Sequence, residues 1–212
     1  MTLNLKHDIL LFGGCNWFGR ELINKLLEKK NIVKINIIDN LSSETSSRQF
    51  YLDYQYIDSI NYIHADVKYI NFDNLISDNT YVIYNIWNSN DSIIGFHRLC
   101  EFCRIHKLNN KIYFTCDKKL SSIFEKLAVD LKYIGIICDA EIIGNFGIDN
   151  VRDKKDTFIY YNRIGNTINF DLKFDYYCMK EHISFLYFLF NVNFDKGYMI
   201  TMPTNKMDLS KY

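Results

Sequence analysis

Gly13, Asn16 and Gly19 stand at three-residue intervals behind a short apolar run, Ile9-Leu10-Leu11-Phe12. Asp39 closes a second apolar run, twenty positions after Gly19. Residues of these types at this spacing can hold a dinucleotide. A glycine turn lets the backbone approach a diphosphate at the N-terminus of the following helix. A carboxylate at the end of the next strand can accept both hydroxyls of an adenosine ribose. Asn16 occupies the middle place, where a third glycine is expected. Asparagine tolerates left-handed backbone better than most residues, so the turn can survive, but its side chain reaches toward the place of the phosphate oxygens. Asp66 follows a third apolar run and adds a second carboxylate at a strand end.

These residues need an alternating frame to position them. Periodicity predicts strands at residues 8–12, 33–38, 60–64, 81–86, 111–115 and 134–138. Helices are expected at 18–30, with Leu22, Ile23, Leu26 and Leu27 as the buried stripe, at 93–106 and at 123–131. In the 93–106 helix the apolar positions are Ile94, Leu99, Phe102, Cys103 and Ile105. Strands alternating with helices at short intervals predict an α/β fold, a Rossmann-like doubly wound parallel sheet. After Gly147 the pattern weakens. A solvated charged loop is expected at 151–156, a short helix at 158–163, a strand at 165–170, an apolar helix at 181–190 and a last strand at 198–202.

Bulk properties narrow the function classes. The 212 residues carry 25 basic and 25 acidic side chains, for zero formal net charge. No Lys/Arg run offers a grip for nucleic acid. The longest late apolar run, residues 183–190, is far short of the ~20 residues of a membrane span. The first residues lack a signal-peptide pattern, so a soluble, cytoplasmic protein without membrane contact is expected. Six cysteines are scattered along the chain. Cys100 and Cys103 form a CxxC, which could be a redox or zinc pair. Without a second nearby pair, and inside an apolar helix, they read instead as two small buried residues.

The motifs resemble those of the extended short-chain dehydrogenase/reductases of the NAD-dependent nucleotide-sugar epimerase and dehydratase type. Phe12-Gly13-Gly14-Cys15-Asn16-Trp17-Phe18-Gly19 resembles the family's TGGxGFIG. Asp39-Asn40-Leu41-Ser42 resembles its DNLS, and Asp66-Val67 the D-[VI] that contacts adenine. Phe124-Glu125-Lys126-Leu127-Ala128 resembles the helix that carries YxxxK. Residues 174–183 are similar to a late RDFIHVDDV segment, and 197–208 to the closing strand and turn. The resemblance implies an NAD-binding Rossmann domain over residues 1–150 and a reduced C-terminal subdomain, a remnant of the substrate lobe, over 151–212. It implies NAD as cofactor, held by Gly13, Asn16, Trp17, Phe18, Gly19, Asp39, Asn40, Asp66, Val67, Ile86, Trp87 and Lys126, with a nucleotide sugar as ligand.

The catalytic positions depart from that pattern. The family uses a Tyr and a Lys four residues later on one helix, helped by a Ser or Thr after the fifth strand. Lys126 matches the Lys. Ser122 stands at the Tyr position, and its hydroxyl is a far weaker acid than a phenol. Asp117 stands at the Ser/Thr position, with Thr115 and Cys116 just before it. Ser122-Ile123-Phe124-Glu125 also fits S-x-x-E, a helix capping box, and Lys126 with Asp117 fits either an ion pair or a cofactor contact. Tyr176-Tyr177-Cys178-Met179-Lys180 is a literal YxxxK in the wrong segment. Ile86-Trp87 replaces the small residues expected beside the cofactor. These departures predict a degenerate member that binds NAD or a nucleotide sugar with little or no catalysis; an active enzyme with displaced catalytic residues is the alternative. Phe96, Cys100 and Phe102, with Phe124, Leu127 and Leu131, exceed one sheet-facing stripe. They predict pairing as a homodimer, or as a heterodimer with an active relative.

Overall fold

The computed structural model describes residues 6–42, 48, 52, 54–86, 90–138, 142–144, 173–190, 192–201 and 205–208. Four runs become one side of a parallel sheet, with β3 at its edge: β1 (His7–Phe12), β2 (Ile32–Asp39), β3 (Ile60–His64) and β4 (Thr80–Tyr84). β5 (Lys111–Asp117), β6 (Lys132–Cys138) and β9 (Tyr198–Thr201) extend it. The order is β3-β2-β1-β4-β5-β6-β9, with every neighbouring pair parallel. The chain steps outward from β1 first one way and then the other, so the order reverses between β1 and β4. Ligands of such sheets sit in the crevice at that switch, beyond the strands' C-terminal ends.

Side-chain alternation explains why both faces are covered. Ile9, Leu11, Ile37, Tyr113 and Ile136 face one way. They pack under α1 (Trp17–Leu27) and α4 (Met179–Leu189), through Leu22, Leu26, Ile183 and Leu186. Leu10, Phe12, Val82, Tyr84 and Phe114 face the other way. They pack under α2 (Asn90–Ile105) and α3 (Ser121–Leu127), through Phe96, Leu99, Cys100 and Phe124.

Several helix faces differ from expectation. Leu27, Ile94 and Ile105 are solvent-facing, at 38%, 49% and 72% exposure. Phe96, Cys100 and Phe124, expected on an outer pairing face, are instead fully buried against the sheet. The aromatic rings explain this. Phe96, Phe114 and Phe124 pack edge-on or tilted against one another at centroid distances of 4.8 to 5.5 Å, one buried cluster over the sheet.

A second sheet has the order β10-β8-β7, formed by Asn205–Asp208, Lys173–Cys178 and Ile142–Gly144. Between β8 and β10 the chain returns to the large sheet: α4 packs on α1 and β9 pairs with β6. Met179–Leu189 and Tyr198–Thr201 thus pack with the layers of the large sheet. The expected elements at 151–156, 158–163 and 165–170 lie outside the described residues. Among the described residues, no helix is long and apolar enough to cross a membrane.

Candidate functional site

The glycine turn is built by close approach. Gly13 has φ +71°, and its N–H donates to the Ile38 carbonyl at 2.9 Å. A Cβ there would lie 2.7 Å from the Asn85 carbonyl oxygen. A Cβ on Gly19 would fall 2.0 Å from the Gly14 oxygen, so the first turn of α1 rests directly on the loop. Gly14, which the three-residue spacing passes over, is also close-packed: its Cβ would meet Ile37 Cγ2 at 2.7 Å. The signal was its adjacency to Gly13.

Asn16 departs from expectation. Its backbone is extended, with φ −137° and ψ −179°, rather than left-handed. It is the N-cap of α1. Its Oδ1 accepts the Gly19 N–H at 2.8 Å and its Nδ2 donates to the Gly13 carbonyl at 3.2 Å. An N-cap requires extended backbone, so the capping preference of asparagine overrides its left-handed tolerance. Trp17 opens α1, but its side chain lies outside the described residues, as does Trp87. Phe18 is buried in the core beside Leu22, and Ile86 is half-buried against Gly13.

Asp39 ends β2 inside the crevice, only 6% exposed. Its carboxylate accepts the N–H of Cys15 at 2.9 Å and of Leu41 at 2.8 Å, tying the glycine turn to the loop after β2. The Tyr62 hydroxyl donates to the Asp39 carbonyl at 3.2 Å. Burial, with the nearby carboxylate second, pushes the Cys15 thiol up to about 12. Burial also pushes the Tyr62 phenol to about 12. Neither group offers a proton-transfer partner near neutral pH.

A polar chain continues from there. Asn40 donates to Asp66 at 3.2 Å, and Asp66 accepts the Lys68 N–H at 2.8 Å. The Lys68 ammonium sits 3.0 Å from Asp91 and 3.7 Å from Asp66, and the Asp91 hydrogen bond raises its pKa. Val67, expected beside a ligand, points its side chain into the core, where it touches Gly95. Arg98 holds this loop by donating to the carbonyls of Val67, Lys68 and Ile70. Arg98 shares α2 with Arg104, and neither carries a motif that marks this role in the sequence.

The catalytic positions are not assembled into one group. Thr115 is 2% exposed and alternates with Phe114 and Cys116, so it lies on the face of β5 away from α3. Asp117 caps a 3₁₀ turn, Lys118–Leu120, accepting the Lys119 N–H at 2.7 Å. That turn runs straight into α3. The helix therefore starts at Ser121, Ser122 sits within its first turn, and the expected Ser122–Glu125 capping box does not form. Among the described residues Lys126 makes no ion pair with Asp117. Ser122 and Lys126 are both exposed, one helical turn apart.

The two tempting motifs resolve simply. Cys100 and Cys103 are buried free thiols in α2, and burial pushes Cys103 up to about 12. Among the described residues, no cluster of three metal-ligating side chains exists. Tyr176 lies on β8 and Lys180 on α4, so that YxxxK straddles a strand and a helix rather than one helical face.

No protein-family model matches this chain. No curated protein matches it. Solved structures do. A dTDP-glucose 4,6-dehydratase from Streptomyces venezuelae, with NAD bound, superposes at TM-score 0.72 with 10% identity, over 96% of this chain and 78% of that one. A dTDP-glucose 4,6-dehydratase from Bacillus anthracis, in complex with NAD, gives 0.72 with 12% identity over 97% and 78%. A UDP-glucose 4-epimerase from Thermus thermophilus, also with NAD, gives 0.65 with 12% identity over 96% and 80%. The reversal of strand order at β1 and β4, the glycine turn and these superpositions agree on the fold: a Rossmann-like doubly wound sheet, shared with these NAD-bound dehydratase and epimerase structures.

Proposed function

We propose that this chain is a nucleotide-binding relative of the NAD-dependent epimerases and dehydratases that has lost most or all catalysis and acts as a binding or partner subunit. The observation that carries the reading is Asp39, a carboxylate held at the end of β2 beside the glycine turn. A carboxylate offers about four acceptor directions, so one group can serve both backbone and ribose hydroxyls. The described residues thus fit the adenosine end of NAD. They fit the diphosphate less well, because Asn16 already caps α1. The family's proton donor is missing: position 122 is a serine, and Asp117, at the hydroxyl position, is engaged as a cap. Loss of a positioned acid or base costs a factor of about 10² to 10⁴. The competing reading, an active enzyme with displaced groups, rests on Lys126, which keeps the family's place on α3.

Calorimetric titration with NAD, NADP, UDP-glucose and dTDP-glucose tests binding. Turnover of UDP-glucose, UDP-N-acetylglucosamine and dTDP-glucose, followed by NMR, tests catalysis. The reading requires binding of a nucleotide or nucleotide sugar, with negligible turnover. Robust turnover abolished by Lys126→Ala replaces it with the competing reading. The partner role is tested by light scattering. On α2 and α3 the solvent-facing apolar residues are Ile94, Ile105 and Ile123, with Val129 just after. Ile105→Asp with Val129→Asp should turn an associated species into a monomer; a wild-type monomer at high concentration removes the homodimer.

A further inference from the structure

The side chain of Asn16 does more than start a helix. It spans the glycine turn, from the Gly13 carbonyl at one end to the Gly19 N–H at the other. The place where Oδ1 sits is the place an anion would take at the N-terminus of the eleven-residue α1. The amide oxygen carries the partial negative charge that a phosphate oxygen would bring there. It is also hydrogen-bonded at both ends, partly buried, and within a turn whose glycines are closely packed. A diphosphate entering the crevice must break both bonds or meet a like-signed dipole at contact distance.

We propose that Asn16 is a built-in surrogate for a phosphate oxygen, and that it sets the ligand class of the crevice: adenosine-like nucleosides are accepted, and a diphosphate adds no affinity. This deepens the nucleotide-binding reading above and rests on it. Asp39 stands where the ribose would lie, so the adenosine end is recognised while the diphosphate end is not. In this account the nucleoside carries the affinity, and the diphosphate is tolerated without adding to it.

The test uses the whole chain and three probes: adenosine, ADP and NAD, each titrated calorimetrically against wild type, Asn16→Gly and Asn16→Asp. Glycine keeps most N-cap stability and removes the side chain. Aspartate keeps the cap and adds charge. Wild type should bind adenosine, ADP and NAD within about threefold of one another. Asn16→Gly should bind ADP and NAD about tenfold tighter, with adenosine unchanged, because displacing two hydrogen bonds no longer opposes the diphosphate. Asn16→Asp should weaken ADP and NAD and leave adenosine unchanged. If Asn16→Gly binds NAD no tighter while adenosine still binds, the proposal fails and the nucleotide-binding reading stands. If Asn16→Asp binds ADP and NAD as wild type does, the proposal fails on its own. If folded wild type and folded Asn16→Gly bind none of the three probes, both fail.

Discussion

The rings of Phe96 and Phe124 lie 4.8 Å apart at 34°, each fully buried, and they join α2 to α3 over the sheet. They are structural members of the core, so they cannot serve as reporters of subunit pairing. Phe124→Ala should cost about 3–5 kcal/mol, the usual effect of emptying a buried aromatic site. Urea unfolding measures it. A cost below about 1 kcal/mol would mean that α3 is not docked as described.

Gly19→Ala places a methyl carbon 2.0 Å from the Gly14 oxygen, and backbone must move. A loss of about 1–3 kcal/mol is expected, together with weakened nucleotide binding. Thermal melting and titration on the same sample check both. An alanine variant with wild-type stability and affinity would show that α1 does not rest on the loop.

Asp39 should prefer NAD to NADP, because a 2′-phosphate would meet its carboxylate. Asp39→Ala also removes the acceptor of two backbone N–H groups, at roughly 1–3 kcal/mol for each group left buried and unpaired. Its binding data must therefore be read beside its stability. Tighter NADP than NAD in the wild type, by calorimetry, ends this reading of the carboxylate.

His7 supplies a pH dependence. Its ring stacks on Tyr81 at 4.2 Å, and its buried Nδ1 has no hydrogen-bond partner among the described residues. Burial, its largest influence, lowers its pKa below the ordinary 6.5, with Lys111 and Lys29 adding to the effect. The unfolded chain therefore takes the proton first. Stability is complete above about 6.5 and falls as pH drops below it, until the folded pKa is reached. His7→Phe should flatten that acid limb in denaturation curves taken across pH 7 to 5. An unchanged slope would assign the loss to other groups.

Cys15, Cys100, Cys103 and Cys116 are buried thiols whose ionisation burial suppresses. In the native protein at pH 8 they should resist a thiol reagent for hours and react at once in denaturant. Mass spectrometry of labelled peptides gives the assignment. Rapid native labelling of Cys100 or Cys103 would reopen the redox reading of the CxxC.

The order of elements from β1 to β6 was readable because each signal is local. A run of apolar residues, a glycine turn and an acid at a strand end all act within a few residues of one another. What failed was competition between signals, some local and some long-range. Ser122 satisfied the letter of a capping box, yet Asp117 started the helix one turn earlier through a 3₁₀ segment. Phe96 and Phe124 were assigned outward because periodicity counts apolar positions without knowing which neighbour fills them. Ile105 is apolar and exposed, which sequence pattern alone reads as buried. Arg98 and Arg104 hold loops by bonding to carbonyls, and a carbonyl has no sequence signature. Asp39 stands at the end of β2, where its position in the sequence put it, whereas the role of Asn16 depended on where its two amide atoms point.

The pairing of β9 with β6 has a consequence for synthesis. Lys132–Cys138 emerges from the ribosome long before Tyr198–Thr201, with residues 139–197 between them. At about 5–20 residues per second, that stretch takes roughly 3–12 s to make. Throughout it, the outer edge of β6 has backbone donors and acceptors with no strand beside them. An unpaired edge beside an apolar face is a template for intermolecular pairing. The nascent chain offers the β6 edge for such pairing in that interval, and β9 then takes over as that end of the sheet.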